Sequence, residues 1–261
     1  MANDFLSRIL ADKRREVAAR KNAVAEDVLA RKARAAAPAL PVLPALRGDG
    51  LRVIAEVKRA SPSAGAFASG LDARVQTARY VRGGAAAISV LTDEPYFQGS
   101  LADLEEARRA VAIPLLRKDF VIDPYQIYEA RAAGADFVLL IVAALPEEDV
   151  ASLLALANSL GMEALVEVNN EDEAHLARDL EAPLVGINNR DLHTFKVDME
   201  TTIRLRPVLS QRTVVAALSG VRTVEDARTM RAAGADAVLV GEALARTAEP
   251  ERLLAQLAVS R

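Results

Sequence analysis

The segment RAAGADFVLL that begins at Arg131 returns as RAAGADAVLV at Arg231, 100 residues further on. In each copy a glycine, Gly134 or Gly234, follows a stretch of helical character, and an apolar run led by aspartate follows the glycine. A helix that stops at glycine and a buried strand that starts straight after it form the joint of a repeating unit. GGAAAISV from Gly83 is a looser copy. An interval of 100 residues holds about four strand–helix units of the size found in eight-stranded barrels. A chain that repeats at half-barrel spacing favours closure at eight strands over an open Rossmann sheet.

The rest of the chain fits that reading. Short apolar runs near 53–57, 86–91, 114–116, 137–142, 164–168, 184–187, 214–218 and 237–240 alternate with longer amphipathic stretches at 100–112, 125–133, 147–160, 170–180 and 224–233. Several runs are apolar throughout, as parallel strands buried on both faces require. The length of 261 residues, about half of them apolar, suits one barrel domain. The expected fold is therefore α/β, a (β/α)₈ barrel over 49–261 with an N-terminal helical extension over 1–48, one domain overall. In the extension Phe5, Leu6, Ile9, Leu10 and Val17 fall mostly on one helical face. One or two helices packed on the barrel are expected, followed by an Ala- and Pro-rich loop over 35–46. The Lys and Arg run of the first helix reads as a solvated face, and acidic residues such as Asp12 and Glu16 argue against a transit peptide.

Composition removes several function classes. The formal charge of −3 gives no basic field for nucleic acid. There is no cysteine, which excludes disulfides, zinc thiolates and thiol nucleophiles. The longest apolar run, Phe137 to Leu145, is too short for a transmembrane helix, and the N-terminus has charges of both signs and no apolar core of a secretory signal. A cytoplasmic protein is expected, as a monomer or a weak homo-oligomer, with neither nucleic acid nor membrane as partner. His175 lies in a polar helical stretch and His193 nearer a strand end, 18 positions away, with no ligand-like spacing, so no metal site is expected.

In this fold active sites gather at the C-terminal ends of the strands. Those ends carry Glu56 and Lys58, then Ser61 and Ser63; Lys118; Glu167; Asn188 and Arg190; Ser219 and Gly220; and Gly241 with Glu242. Glu56 and Lys58 share one side of their strand. A charge within an apolar strand costs several kcal/mol, roughly, unless it is paired. Two lysines and two glutamates converging from three strands could satisfy one another as a structural layer or serve as acids and bases. The loops LSGV and LVGEAL place glycine where backbone amides can approach an anion, and a short helix is expected after the second.

AEVKRASPS from Ala55, SVLTD with YFQGS, LLRKDF from Leu115, LLIVAAL, ALVEV, GINNRDL and LVGEAL resemble, in order and spacing, the signatures of indole-3-glycerol phosphate synthases from about Arg52 to Leu244. The resemblance implies ring closure of 1-(2-carboxyphenylamino)-1-deoxyribulose 5-phosphate, with loss of carbon dioxide and water. No cofactor is implied, because the anthranilate nitrogen feeds electrons into the ring. It also implies roles. Lys118 would protonate the carbonyl oxygen, and Glu167 would be the acid or base partner in dehydration. Lys58 would bind the anthranilate carboxylate or serve as second acid, oriented by Glu56. Asn188, Arg190 and Ser219 would contact the substrate. Phe97, Phe120 and Leu139 would form the aromatic slot, and Ser61 with the amides near Gly220, Gly241 and Glu242 would hold the phosphate.

One position departs from the family pattern, which reads Glu-Ser-Gly where this chain reads Leu218-Ser219-Gly220. That change keeps a second reading open, a weakened or silent phosphate-binding barrel of the same family. The neighbouring phosphoribosylanthranilate isomerase barrels use a cysteine, which this chain lacks.

Overall fold

A computed structural model of the chain describes residues 5–62, 65–68 and 70–258; Ser63 lies outside the described residues. Eight parallel strands close into a barrel in sequence order: β1 Arg52–Val57, β2 Ala87–Leu91, β3 Leu115–Lys118, β4 Phe137–Ile141, β5 Glu163–Val168, β6 Leu184–Asn188, β7 Val214–Leu218 and β8 Ala237–Val240. β8 pairs with β1 through Arg52 opposite Ala237, which seals the barrel. The strand alternation sorts the core into two shells. Ile54, Leu116, Phe137, Leu139, Leu165, Leu184, Val214 and Leu239 pack inside the barrel, while Val53, Val90, Val138, Val166, Val215 and Val238 pack against the surrounding helices.

Local chemistry sets the helix boundaries. Asp72 caps α4 (Ala73–Arg82) by accepting from the Val75 amide at 3.0 Å, and Ser100 caps α6 (Leu101–Ala110) by accepting from Asp103 at 3.1 Å. Asn170 does the same for α9 (Glu171–Asp179), and Thr223 with Asp226 forms a capping box on α11 (Val224–Ala232). The repeated joint has one geometry in both halves. Gly134 and Gly234 end α7 (Pro124–Ala132) and α11 with φ of 91° and 90°. The aspartate that follows then ties the new strand to its neighbour. Asp136 accepts from the Leu115 amide at 2.8 Å, and Asp236 from the Val215 amide at 2.9 Å. These repeated residues are structural.

Ahead of β1 lie three helices: α1 Phe5–Ala23, α2 Glu26–Ala35 and α3 Val42–Leu46. The expectation of one or two helices and a loop is corrected here. Val42 and Leu46 are buried in the barrel's interior cluster, so part of the Pro-rich segment is pinned as a helical turn. α3 lies at the N-terminal end of the barrel, where the Arg47 guanidinium donates to the Arg212 carbonyl just ahead of β7. α1 lies at the opposite end, with Leu6, Ile9 and Leu10 in the same interior cluster. Among the described residues no helix is long and apolar enough to cross a membrane.

The solvated-face reading of α1 needs a correction too. Lys13 is 1% exposed. Its ammonium meets Glu16 at 2.8 Å, Asp93 at 2.8 Å and Asp119 at 2.9 Å. Asp93 and Asp119 follow β2 and β3, so one buried cation clamps α1 to two strand ends. The fully buried Arg117 extends the cluster, bridging Asp119 and Glu129 at 3.1 Å each. Burial works against the Lys13 ammonium, but Asp119 and Asp93 outweigh it and hold the group above the usual lysine value. Burial likewise pushes Asp119 up, and Arg117 with Lys13 more than offsets it, leaving that carboxyl well below the usual range. Asp93 lacks the arginine, and there burial prevails and raises it.

Candidate active site

Glu56 sits on β1, Lys118 on β3, Glu167 on β5 and Asn188 on β6, each one register above the apolar interior layer. They share two adjoining cavities at the C-terminal ends of the strands. One is walled by Phe5, Leu6, Ile9, Phe97, Phe120 and Ile141. The other is lined by Gly220, Val221, Gly241, Glu242 and Ala243. Lys58, Lys118, Glu167, Asn188, Arg190 and Ser219 face both. An apolar chamber thus adjoins an amide-lined one, with the ionisable groups between them.

The four charged residues do not form one mutual layer. Lys58 meets Glu56 at 3.4 Å, and its ammonium lies 5.4 Å from the centre of the Phe97 ring. The Lys118 ammonium makes no ion pair or hydrogen bond with any described residue. Glu167 is buried, with one oxygen, Oε1, accepting from Asn188 Nδ2 at 2.8 Å. Its Oε2 is buried with no hydrogen-bond partner among the described residues. A native structure leaves such a group unpaired at a cost of about 1–3 kcal/mol. Asn188 is held in turn, because its Oδ1 accepts from the Arg190 amide at 3.0 Å, which fixes which end of the amide faces Glu167. Arg190 donates to the Phe195 carbonyl at 3.0 Å.

The amide-lined chamber has the chemistry of an anion site. The amides of Gly220, Val221, Glu242 and Ala243 donate to no group among the described residues. Ser219 and Gly220 have φ of 63° and 89°, so the chain turns sharply out of β7. A Cβ on Gly220 would come within 2.4 Å of the Met199 sulfur. A Cβ on Gly241 would come within 2.5 Å of Glu56 Oε1, so that glycine makes room for the carboxylate below Lys58. The expected short helix follows as α12, Glu242–Arg246.

In the apolar chamber Phe97 and Phe120 stand with ring centres 6.3 Å apart. Ser61 is buried on this wall rather than among the glycine amides. Leu139 is placed differently from its expectation. It packs one layer deeper in the interior cluster, and Ile141, two residues on, takes the wall position. The sequence placed Phe5 only on the apolar face of the first helix and did not single out Phe195; their rings meet edge-on at 4.9 Å over the chamber. Leu218 is buried in the interior cluster next to Gly186, and it lines the amide-lined chamber together with Lys58. His175 and His193 are exposed and line neither chamber.

Residues 6–257 match the family profile described as indole-3-glycerol phosphate synthase. Proteins named indole-3-glycerol phosphate synthase from Rhodococcus opacus and Mycolicibacterium smegmatis are 51% and 50% identical over 252 residues. Those alignments cover 97% of this chain, and 94% and 93% of the relatives. Among solved structures, the thiamine phosphate pyrophosphorylase of Pyrococcus furiosus superposes with a TM-score of 0.60 at 16% identity, covering 83% of this chain and 96% of that one. At that identity the likeness is one of fold alone.

Proposed function

The chain belongs to the indole-3-glycerol phosphate synthase family, and on that premise we propose how its own residues divide the work of ring closure. Its activity is that of a carboxy-lyase of tryptophan biosynthesis, acting on a phosphorylated small molecule. The observation that carries the assignment of roles is the idle pair at the rim. The unpaired Lys118 ammonium and the unpartnered Glu167 Oε2 face the same cavities.

The anthranilate ring occupies the slot between Phe97 and Phe120, under Phe5, and the phosphate occupies the cradle of amides at Gly220, Gly241 and Glu242. Ser61, on the slot side, bonds to the substrate chain, as do Ser219 and Arg190. Held at both ends, the flexible chain presents its carbonyl carbon to the ring carbon that bears the carboxylate. As the carbon–carbon bond forms, Lys118 gives its proton to the carbonyl oxygen, which becomes a hydroxyl. Lys58, poised over Phe97, pairs with the anthranilate carboxylate until the bond to it breaks and carbon dioxide leaves, restoring the aromatic ring. The nitrogen lone pair, acting through that ring, then expels the hydroxyl as water with a proton from Lys58. Glu167 removes a proton from the carbon attached to nitrogen, and the indole is complete. Glu56 orients Lys58, and Asn188 orients Glu167. Every group in this scheme comes from one copy of the chain, which fits a cytoplasmic monomer or weak homo-oligomer.

The phosphate assignment is tested by crystals soaked in inorganic phosphate. The anion should lie against the amides of Gly220, Val221, Glu242 and Ala243. An anion at the opposite end of the barrel, or an empty cradle, would contradict it.

A further inference from the structure

We propose that Asn189, which touches neither chamber, is the positioning residue that aims the amides of the β7 turn at the phosphate. The inference rests on the phosphate assignment above. Asn189 follows Asn188, and strand alternation sends the two side chains to opposite sides. Asn188 grips Glu167, whereas Asn189 is 1% exposed behind the turn.

Asn189 grips two successive carbonyls as the chain leaves β7. Its backbone amide donates to the Leu218 carbonyl at 2.9 Å, and its side-chain Nδ2 donates to the Ser219 carbonyl at 3.1 Å. The orientation of the side chain is settled by its other end. Oδ1 accepts from the Thr202 amide at 3.1 Å and from the Thr202 hydroxyl at 2.8 Å, so the nitrogen must face Ser219. Asn189 is anchored as well through its carbonyl, which accepts from the Asp198 amide at 2.8 Å.

The consequence follows from peptide geometry. In a planar trans peptide the carbonyl and the next N–H point in opposite directions. Holding the Ser219 carbonyl toward Asn189 turns the Gly220 N–H the other way, toward the chamber that Gly220 lines. Ser219 needs such a hold, because its left-handed φ of 63° is a conformation that a residue with a side chain adopts only at an energetic cost. Without the grip on the carbonyl, the peptide is free to rotate to a relaxed conformation and carry the amide away from the anion.

The test measures inorganic phosphate as a competitive inhibitor, together with KM, kcat and Tm, in the wild type, Asn189→Asp and Thr202→Val. Asn189→Asp keeps the size of the side chain and sets a carboxylate oxygen against the Ser219 carbonyl. It should raise both the inhibition constant for phosphate and KM by about tenfold or more, with kcat much less affected. Thr202→Val removes the hydroxyl that anchors Oδ1, and should raise the same two constants by a few-fold. If Asn189→Asp does not fold, Thr202→Val decides alone. A fall in Tm with an unchanged inhibition constant and KM in a folded variant would overturn the inference and leave Asn189 a packing residue. A wild type that phosphate does not inhibit competitively would instead mean that the phosphate assignment itself has failed.

Discussion

Asn188 donates to Oε1 of Glu167 at 2.8 Å and leaves Oε2 buried and without a partner among the described residues. The pairing separates holding from reacting within one carboxylate. Glu167→Gln keeps the shape and removes the proposed base. It should leave KM near its wild-type value and lower kcat by about 100-fold or more, the usual scale for a general base. Steady-state kinetics decide the matter. An unchanged kcat with a raised KM would make Glu167 a binding residue.

Lys13 is a buried cation that joins α1 to the ends of β2 and β3. Lys13→Met fits the space and strands the carboxylate of Asp93, while Asp119 keeps Arg117. Breaking a buried pair in this way costs about 3–5 kcal/mol, so thermal unfolding should show a large fall in Tm. An unchanged Tm would mean that α1 docks through its apolar face alone.

Tyr80 is fully buried, and burial pushes its hydroxyl up to about 12. A group whose value is raised in the folded protein adds stability that is complete below its unfolded value, near 10, and is lost as pH rises through the folded one. The span corresponds to about 3 kcal/mol. Denaturant unfolding at several pH values should show the wild type losing more stability than Tyr80→Phe between pH 10 and pH 12. Parallel losses in the two proteins would contradict the assignment.

Leu218 and Lys58 line the same chamber, and the family resemblance implies a glutamate at the leucine's position. With a carboxylate there, the Lys58 ammonium gains a second hydrogen-bonding partner besides Glu56. Leu218→Glu should therefore raise turnover while lowering Tm, because a buried side chain of the interior apolar cluster is exchanged for a charge. Equal or lower turnover would leave Leu218 as a packing variant that the enzyme tolerates.

The barrel could be read from the sequence because its strands are apolar on both faces and its helix stops repeat at Gly134 and Gly234. That Lys118, Glu167 and Asn188 line one end of the barrel could be read for a related reason, since polar residues inside apolar strands stand out. Lys13 could not, because one lysine among the charges of α1 looks like any solvated side chain until Asp93 and Asp119 are brought to it by the closing of the barrel. Leu139 and Ile141 are equivalent in the sequence, two apart on the same face of β4, and only the depth of the strand in the barrel tells them apart. Asn189 was hidden by its neighbour, because GINNRDL gives no sign of which asparagine faces the chamber.

The central claim is that Lys118 is the acid that starts ring closure. The measurement is the rate at which purified wild type and Lys118→Ala form the indole product from 1-(2-carboxyphenylamino)-1-deoxyribulose 5-phosphate. It is followed by product fluorescence, and the chain has no tryptophan to obscure that signal. The Lys118 ammonium makes no structural pair among the described residues, so the variant should keep the wild-type Tm and lose at least about 100-fold in turnover. A folded Lys118→Ala protein turning over at close to the wild-type rate would contradict the account.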